Sequence, residues 1–93
     1  MAAAKMALIS VVATTYPAIP QLDAGFRGAA AAAHMTPLGP AIFVSLDGIN
    51  DHAQLNPAAG VSSASFTNPF YTKMYARLAV AGASTVQLII EGA

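Results

Sequence analysis

Asp47, Asn50, Asp51 and His52 fall within six residues, two positions after Ser45, and form the densest group of chemistry-bearing side chains in the chain. Three kinds of chemistry use such residues. A calcium loop takes oxygen ligands at alternating positions and closes on an acidic residue at its twelfth. Here Gly48 and Ile49 break the alternation, and the twelfth position counted from Asp47 is Ala58. A zinc site needs His34 and His52 together with a carboxylate, and only folding over a long distance assembles that set. Nucleophilic catalysis by Ser45, His52 and an aspartate depends on geometry that composition does not supply, and the chain has no G-x-S-x-G elbow. Asp and Asn side chains, by contrast, readily hydrogen-bond their own backbone. Asp47, Gly48, Asn50 and Asp51 are therefore expected to build a structural turn, without metal, cofactor or catalytic residue.

Other reactive signatures are missing. The glycines never take a phosphate-binding spacing. Glycosidase chemistry requires two carboxylates across a cleft, and four acidic residues on so small a scaffold leave little wall for one. Phe66, Phe70, Tyr71 and Tyr75 lie close in sequence, and such rings could stack on sugars or bases. Packing and interface roles suit them better. Tyr16, Phe70, Tyr71, Tyr75, Arg77 and Ile89 are the expected contact residues.

The elements that carry these residues read as strands. Pro and Gly recur about every ten residues, the rhythm of an all-β sandwich or barrel. In Ala41–Leu46, Ile42, Val44 and Leu46 share one face, with Phe43 and Ser45 on the other. Ala53–Leu55 is a short strand, and the polar stretch Ser62–Thr67 suits an edge. Thr72–Val80 alternates with Met74, Ala76, Leu78 and Val80 inward; Thr85–Glu91 follows with Val86, Leu88 and Ile90 inward. Ala81-Gly82-Ala83-Ser84 between them is expected to close a hairpin. Ala29–Ala33 favours helix by propensity, but five alanines between Gly28 and Pro37 are too few to hold one. Phe26–Met35 is read as a strand of small side chains, with a short helix as the alternative. Residues 1–20 are expected to be an N-terminal strand or arm, although Met6–Ala13 also has the look of a secretory h-region. Residues 21–93 are expected to be a single β domain. The fold class is all-β: a small antiparallel β-sandwich or jelly-roll-like barrel with an extended N-terminal segment.

The chain has 93 residues, of which 56% are hydrophobic and only 9% charged, with zero net charge and no cysteine. An average domain is about 25% charged, and a small one has proportionally more surface to keep wet. A neutral, charge-poor chain does little to prevent its own association. Its surface is therefore expected to be covered by copies of itself, in a homo-oligomer, with a trimer preferred to a dimer. Four scattered basic residues make no nucleic-acid footprint, and no stretch is long enough to span a membrane.

Phe43-Val44-Ser45-Leu46-Asp47-Gly48-Ile49-Asn50-Asp51-His52-Ala53, with Phe70–Arg77 and Ser84–Glu91, resembles a small class of tailed-bacteriophage virion proteins. They are similar in scale to the cement or decoration proteins of icosahedral heads. The resemblance spans residues 41–91 through short motifs. It implies a β-sandwich or jelly roll, no catalytic residue, a major capsid protein or another virion protein as partner, and a place on the capsid surface. Neck, tail or head-fibre components fit the same features, as does a secreted carbohydrate-binding β module.

Overall fold

The computed structural model describes residues 4–35, 39–67 and 72–92. Eight strands form two antiparallel four-stranded sheets packed face to face. They are β1 Ala4–Val11, β2 Leu22–Asp23, β3 Gly28–Met35, β4 Ile42–Ser45, β5 Ala53–Leu55, β6 Ser63–Thr67, β7 Lys73–Leu78 and β8 Ser84–Gly92. The first sheet has the order β1-β8-β3-β6 and the second β2-β7-β4-β5. This is the jelly-roll order, in which one long hairpin is rolled into two sheets.

The register shows the roll directly. Ala4 pairs with Glu91, Leu22 with Met74, Ala30 with Thr67 and Ile42 with Leu55. Each of these four pairings is centred within a residue of Gly48. The turn that begins at Asp47 is thus the tip of the parent hairpin, and these four strand pairs share its register, while β3–β8 and β4–β7 join the rolled layers.

Burial follows the two-residue period of each strand. Ile42, Val44 and Leu55 on one sheet meet Val86, Leu88 and Ile90 on the other, each at most 1% exposed. Ala31 and Ala33 are buried on β3, opposite Ile90 and Leu88 of the adjacent β8. Small side chains beside large ones fill the layer without overpacking. The alanine run is a strand because β8 and β6 offer it hydrogen-bond partners on both sides, and tertiary pairing overrides helix propensity.

Two expectations are corrected. β7 and β8 do not form a hairpin: they lie in different sheets, and the connection between them crosses the sandwich. Both strands are amphipathic, and facing each other across the core buries both apolar faces. Val80 lies beyond the end of β7 and is 59% exposed. Ser45 shares the outer face of Phe43, opposite Tyr75, and is fully buried there because the turn folds over it and its hydroxyl bonds the Gly48 amide. β1 pairs along its whole length with β8, and Ile9 and Val11 pack into the common core.

Candidate interaction surface

The hairpin tip is built from side chains that satisfy backbone groups. The Asp47 carboxylate accepts from the Ile49 and Asn50 amides at 2.8 and 2.9 Å and from Asn50 Nδ2 at 2.9 Å. Ser45 Oγ accepts from the Gly48 amide at 2.8 Å and donates to Asp47. His52 Nδ1 accepts from the Leu46 amide at 3.0 Å. Donors from the backbone of Asn50 and Ile49, then from the Asn50 and Ser45 side chains, hold the Asp47 carboxyl well below the usual carboxylate range. Gly48 sits at φ 76° with the Tyr75 ring 3.1 Å from where a Cβ would be, so a side chain there is strained in the backbone and pushes on the ring.

Asp51 belongs to a different group from the one its sequence position suggests. It leaves the turn and takes a bidentate pair with Arg77, Nη2 to Oδ2 at 2.7 Å and Nε to Oδ1 at 3.1 Å. The Tyr16 hydroxyl also donates to Asp51. The Arg77 guanidinium lies 4.4 Å from the Phe43 ring centroid and 5.5 Å from that of Tyr16, and Tyr16 meets Tyr75 edge-on. Residues of the tip, of β4, of β7 and of the segment after β1 are thereby clamped together. Burial, then the bond to Asp51, pushes the Tyr16 phenol above the usual tyrosine range. Hydrogen bonds from Arg77 and Tyr16 hold the Asp51 carboxyl below its usual range. Acid–base catalysis wants groups tuned towards neutrality; Tyr16 and Asp51 are both driven away from it.

No catalytic or metal grouping assembles from the other candidates. The Ser45 hydroxyl is committed to the turn and His52 Nδ1 to a main-chain amide. Among the described residues no three His, Asp or Glu side chains gather as metal ligands. His34 stands on the first sheet, remote from His52 on the tip. Phe66 packs against the core from β6 while Tyr75 stands on β7 of the opposite sheet, so these two rings form no common platform. Phe70 and Tyr71 lie outside the described residues. A cavity of about 310 Å³ between Val11, Pro17, Ile19 and Gln21 has no ionisable side chain in its lining. Gln21, which the sequence did not single out, bonds both the carbonyl and the amide of Ala76, at 2.8 and 3.1 Å, and so extends the short pairing of β2.

The two sheets present very different outer faces. Asp23, Lys73 and Arg77 stand on or beside the second sheet, next to the acidic tip. The outward rows of the first sheet read Ala4–Glu91–Ala30–Thr67, Met6–Ile89–Ala32–Ser65 and Leu8–Gln87–His34–Ser63. Among those side chains Glu91 alone carries a formal charge. Met6 is 59% and Leu8 71% exposed, and the alanines of β3 leave a shallow groove of about 250 Å³ beside Ile89. Glu91 pairs with Ala30 and His34 with Gln87, four residues along, or about 13 Å, too far for joint acid–base work. Of the expected contact residues, Tyr16, Tyr75 and Arg77 come together on the charged side, and Ile89 stands alone on the apolar one.

A solved structure is similar in fold. It is a chain from Bacillus endospore appendages, which form a family of disulfide-linked pili. The likeness has a TM-score of 0.54 at 22% identity, and covers 98% of this chain and 87% of that one. No family model and no curated protein matches the sequence. At that identity the likeness is one of architecture, and it agrees with the two-sheet fold described above.

Proposed function

We propose that this protein is a non-enzymatic structural subunit that works in many copies, with the outer face of its first sheet covered in the assembly. The observation that carries this reading is that face: three outward rows across four strands with a single formal charge. Exposed apolar side chains grouped on a charge-poor face, as Met6 and Leu8 are beside Ile89, mark interaction sites. A sheet face four strands wide and eight residues long spans roughly 500 Å² per copy, and two such faces approach the size of a specific interface. The appendage neighbour belongs to a protein that forms pili, which fits a subunit role. Its disulfide linkage has no counterpart here, since the sequence holds no cysteine.

In its finer form the proposal places the subunit on a phage head, as a cement or decoration protein. Support comes from the resemblance of residues 41–91 and from the recurrence of jelly rolls among capsid proteins. The flanking genes separate the placements: a major capsid gene supports this one, and appendage genes overturn it. Self-association itself is tested by sedimentation velocity at micromolar concentration. The wild-type chain is expected to sediment as an oligomer, and Ile89→Glu to shift it towards monomer with its melting temperature kept. A monomeric wild-type chain overturns the proposal.

A further inference from the structure

A β-sheet ends in two edge strands whose outer amides and carbonyls are unpaired, and soluble proteins blunt them with charges, prolines, bulges or short length. The second sheet does so by length, since β2 and β5 have two and three residues. In the first sheet the β6 edge has five residues and turns Ser63, Ser65 and Thr67 outward. β1 uses only one of these devices, a single lysine. It runs for eight residues without proline, and its register with β8 is unbroken. Among the described residues its main chain bonds to no element but β8. Its one charge, Lys5, is turned away to the Asp23 carbonyl at 2.9 Å.

The strand is also complementary to itself. Two copies that meet about an axis perpendicular to the sheet keep outer face beside outer face only if even-numbered residues oppose even-numbered ones. An axis through Ala7 satisfies this and places Met6 opposite Leu8 of the second copy, twice over. Ala4 then meets Ser10 and Lys5 meets Ile9, and the two Lys5 positions stand roughly 14 Å apart, with no like charges opposed. Pairing with β6 of another copy instead sets Met6 and Leu8 beside serines and threonine. We propose that β1 is a dimerisation edge, joining two copies antiparallel through Ala7 into one sheet of eight strands. This rests on the self-association proposed above and specifies its geometry. It also doubles the width of the apolar face, which then lies flat on a further surface of the assembly.

The chain has no cysteine, so a single introduced thiol reports the geometry. Ala7→Cys places two thiols directly across the axis, within disulfide reach. Mild oxidation is expected to convert most of this variant to a covalent dimer, while Ser65→Cys on β6 stays unlinked. In the unmodified protein, alternate β1 amides that face an open edge exchange fast. Dimer formation is expected to slow them by roughly ten-fold or more, in step with concentration. If the wild-type chain sediments as an oligomer but Ala7→Cys does not link and those amides stay fast, self-association stands and the β1 edge is excluded. Linkage between Met6→Cys and Ser65→Cys chains in a mixture overturns the two-fold arrangement in favour of a head-to-tail one. A monomeric wild-type chain removes both proposals together.

Discussion

Gly48 carries more of the fold than its size suggests, because the parent hairpin is folded about it. Its positive φ and the Tyr75 ring 3.1 Å from a Cβ position predict that Gly48→Ala costs about 1–2 kcal/mol by thermal or denaturant unfolding. Beside it, Asp47 and Asp51 have carboxyls held below their unfolded range. A group with a depressed folded pKa stabilises above its unfolded value and loses that contribution as pH falls. Stability is therefore expected to hold above about pH 4, the ordinary carboxylate value, and to decline below it. Asp47→Asn is expected to lower the melting temperature at neutral pH and to flatten that acid slope. Tyr16 has the opposite sign: its raised phenol supports the fold up to about pH 10, and the contribution fades above that as the unfolded chain ionises first. The Asp51–Arg77 pair is partly exposed, at 35% and 25%, so solvent screens it. A double-mutant cycle with Asp51→Asn and Arg77→Gln is expected to give a coupling of about 0.2–1 kcal/mol that shrinks in salt.

At the scale of elements, strand faces were legible and strand neighbours were not. Met74, Leu78, Val86, Leu88 and Ile90 are buried as the alternation of β7 and β8 required, because a two-residue period reports which way a side chain points. The same period says nothing about which sheet a strand joins. Hence the short Gly-containing link between two amphipathic strands read as a hairpin, although it crosses from one layer to the other. The apolar outer side of β1 was open to reading as well: Met6, Leu8, Ile9 and Val11 put hydrophobic residues on both faces of one strand. Asp51 was grouped with the turn because sequence neighbours share a loop, whereas its partner Arg77 is brought near only when the hairpin rolls. The buried alternation can be tested by truncation. Leu88, fully buried at the centre of β8, is expected to cost about 2–5 kcal/mol on Leu88→Ala, from lost transfer energy and the cavity left behind. Val80, outside the strand and exposed, is expected to tolerate Val80→Ser within about 0.5 kcal/mol. A large loss at Val80 would restore the longer β7 and contradict the crossing.

Taken whole, the molecule is two-faced, and this resolves the puzzle of its composition. Eight charged residues are too few to wet a sandwich evenly, but they need not: Asp23, Asp47, Asp51, Lys73 and Arg77 concentrate on and around the second sheet and the tip. The first sheet keeps Glu91 as the one charge on its outer rows, with neutral polar side chains on β6 and apolar ones on β1. Two driving forces for association are therefore separable by salt. Contacts between exposed charges weaken as ions screen them, since the Debye length falls from about 10 Å at 0.1 M to about 3 Å at 1 M. Apolar burial has no such dependence, and strongly hydrated salts such as sulfate strengthen it. Self-association through the apolar sheet is expected to be unchanged or tighter between 0.1 and 1 M salt, and to survive Arg77→Gln, which alters only the charged side. Sedimentation across that range checks it. A dissociation constant that rises ten-fold or more with salt, about 1.4 kcal/mol, would show that the charged face, with Arg77 and the aspartates of the tip, holds the copies together.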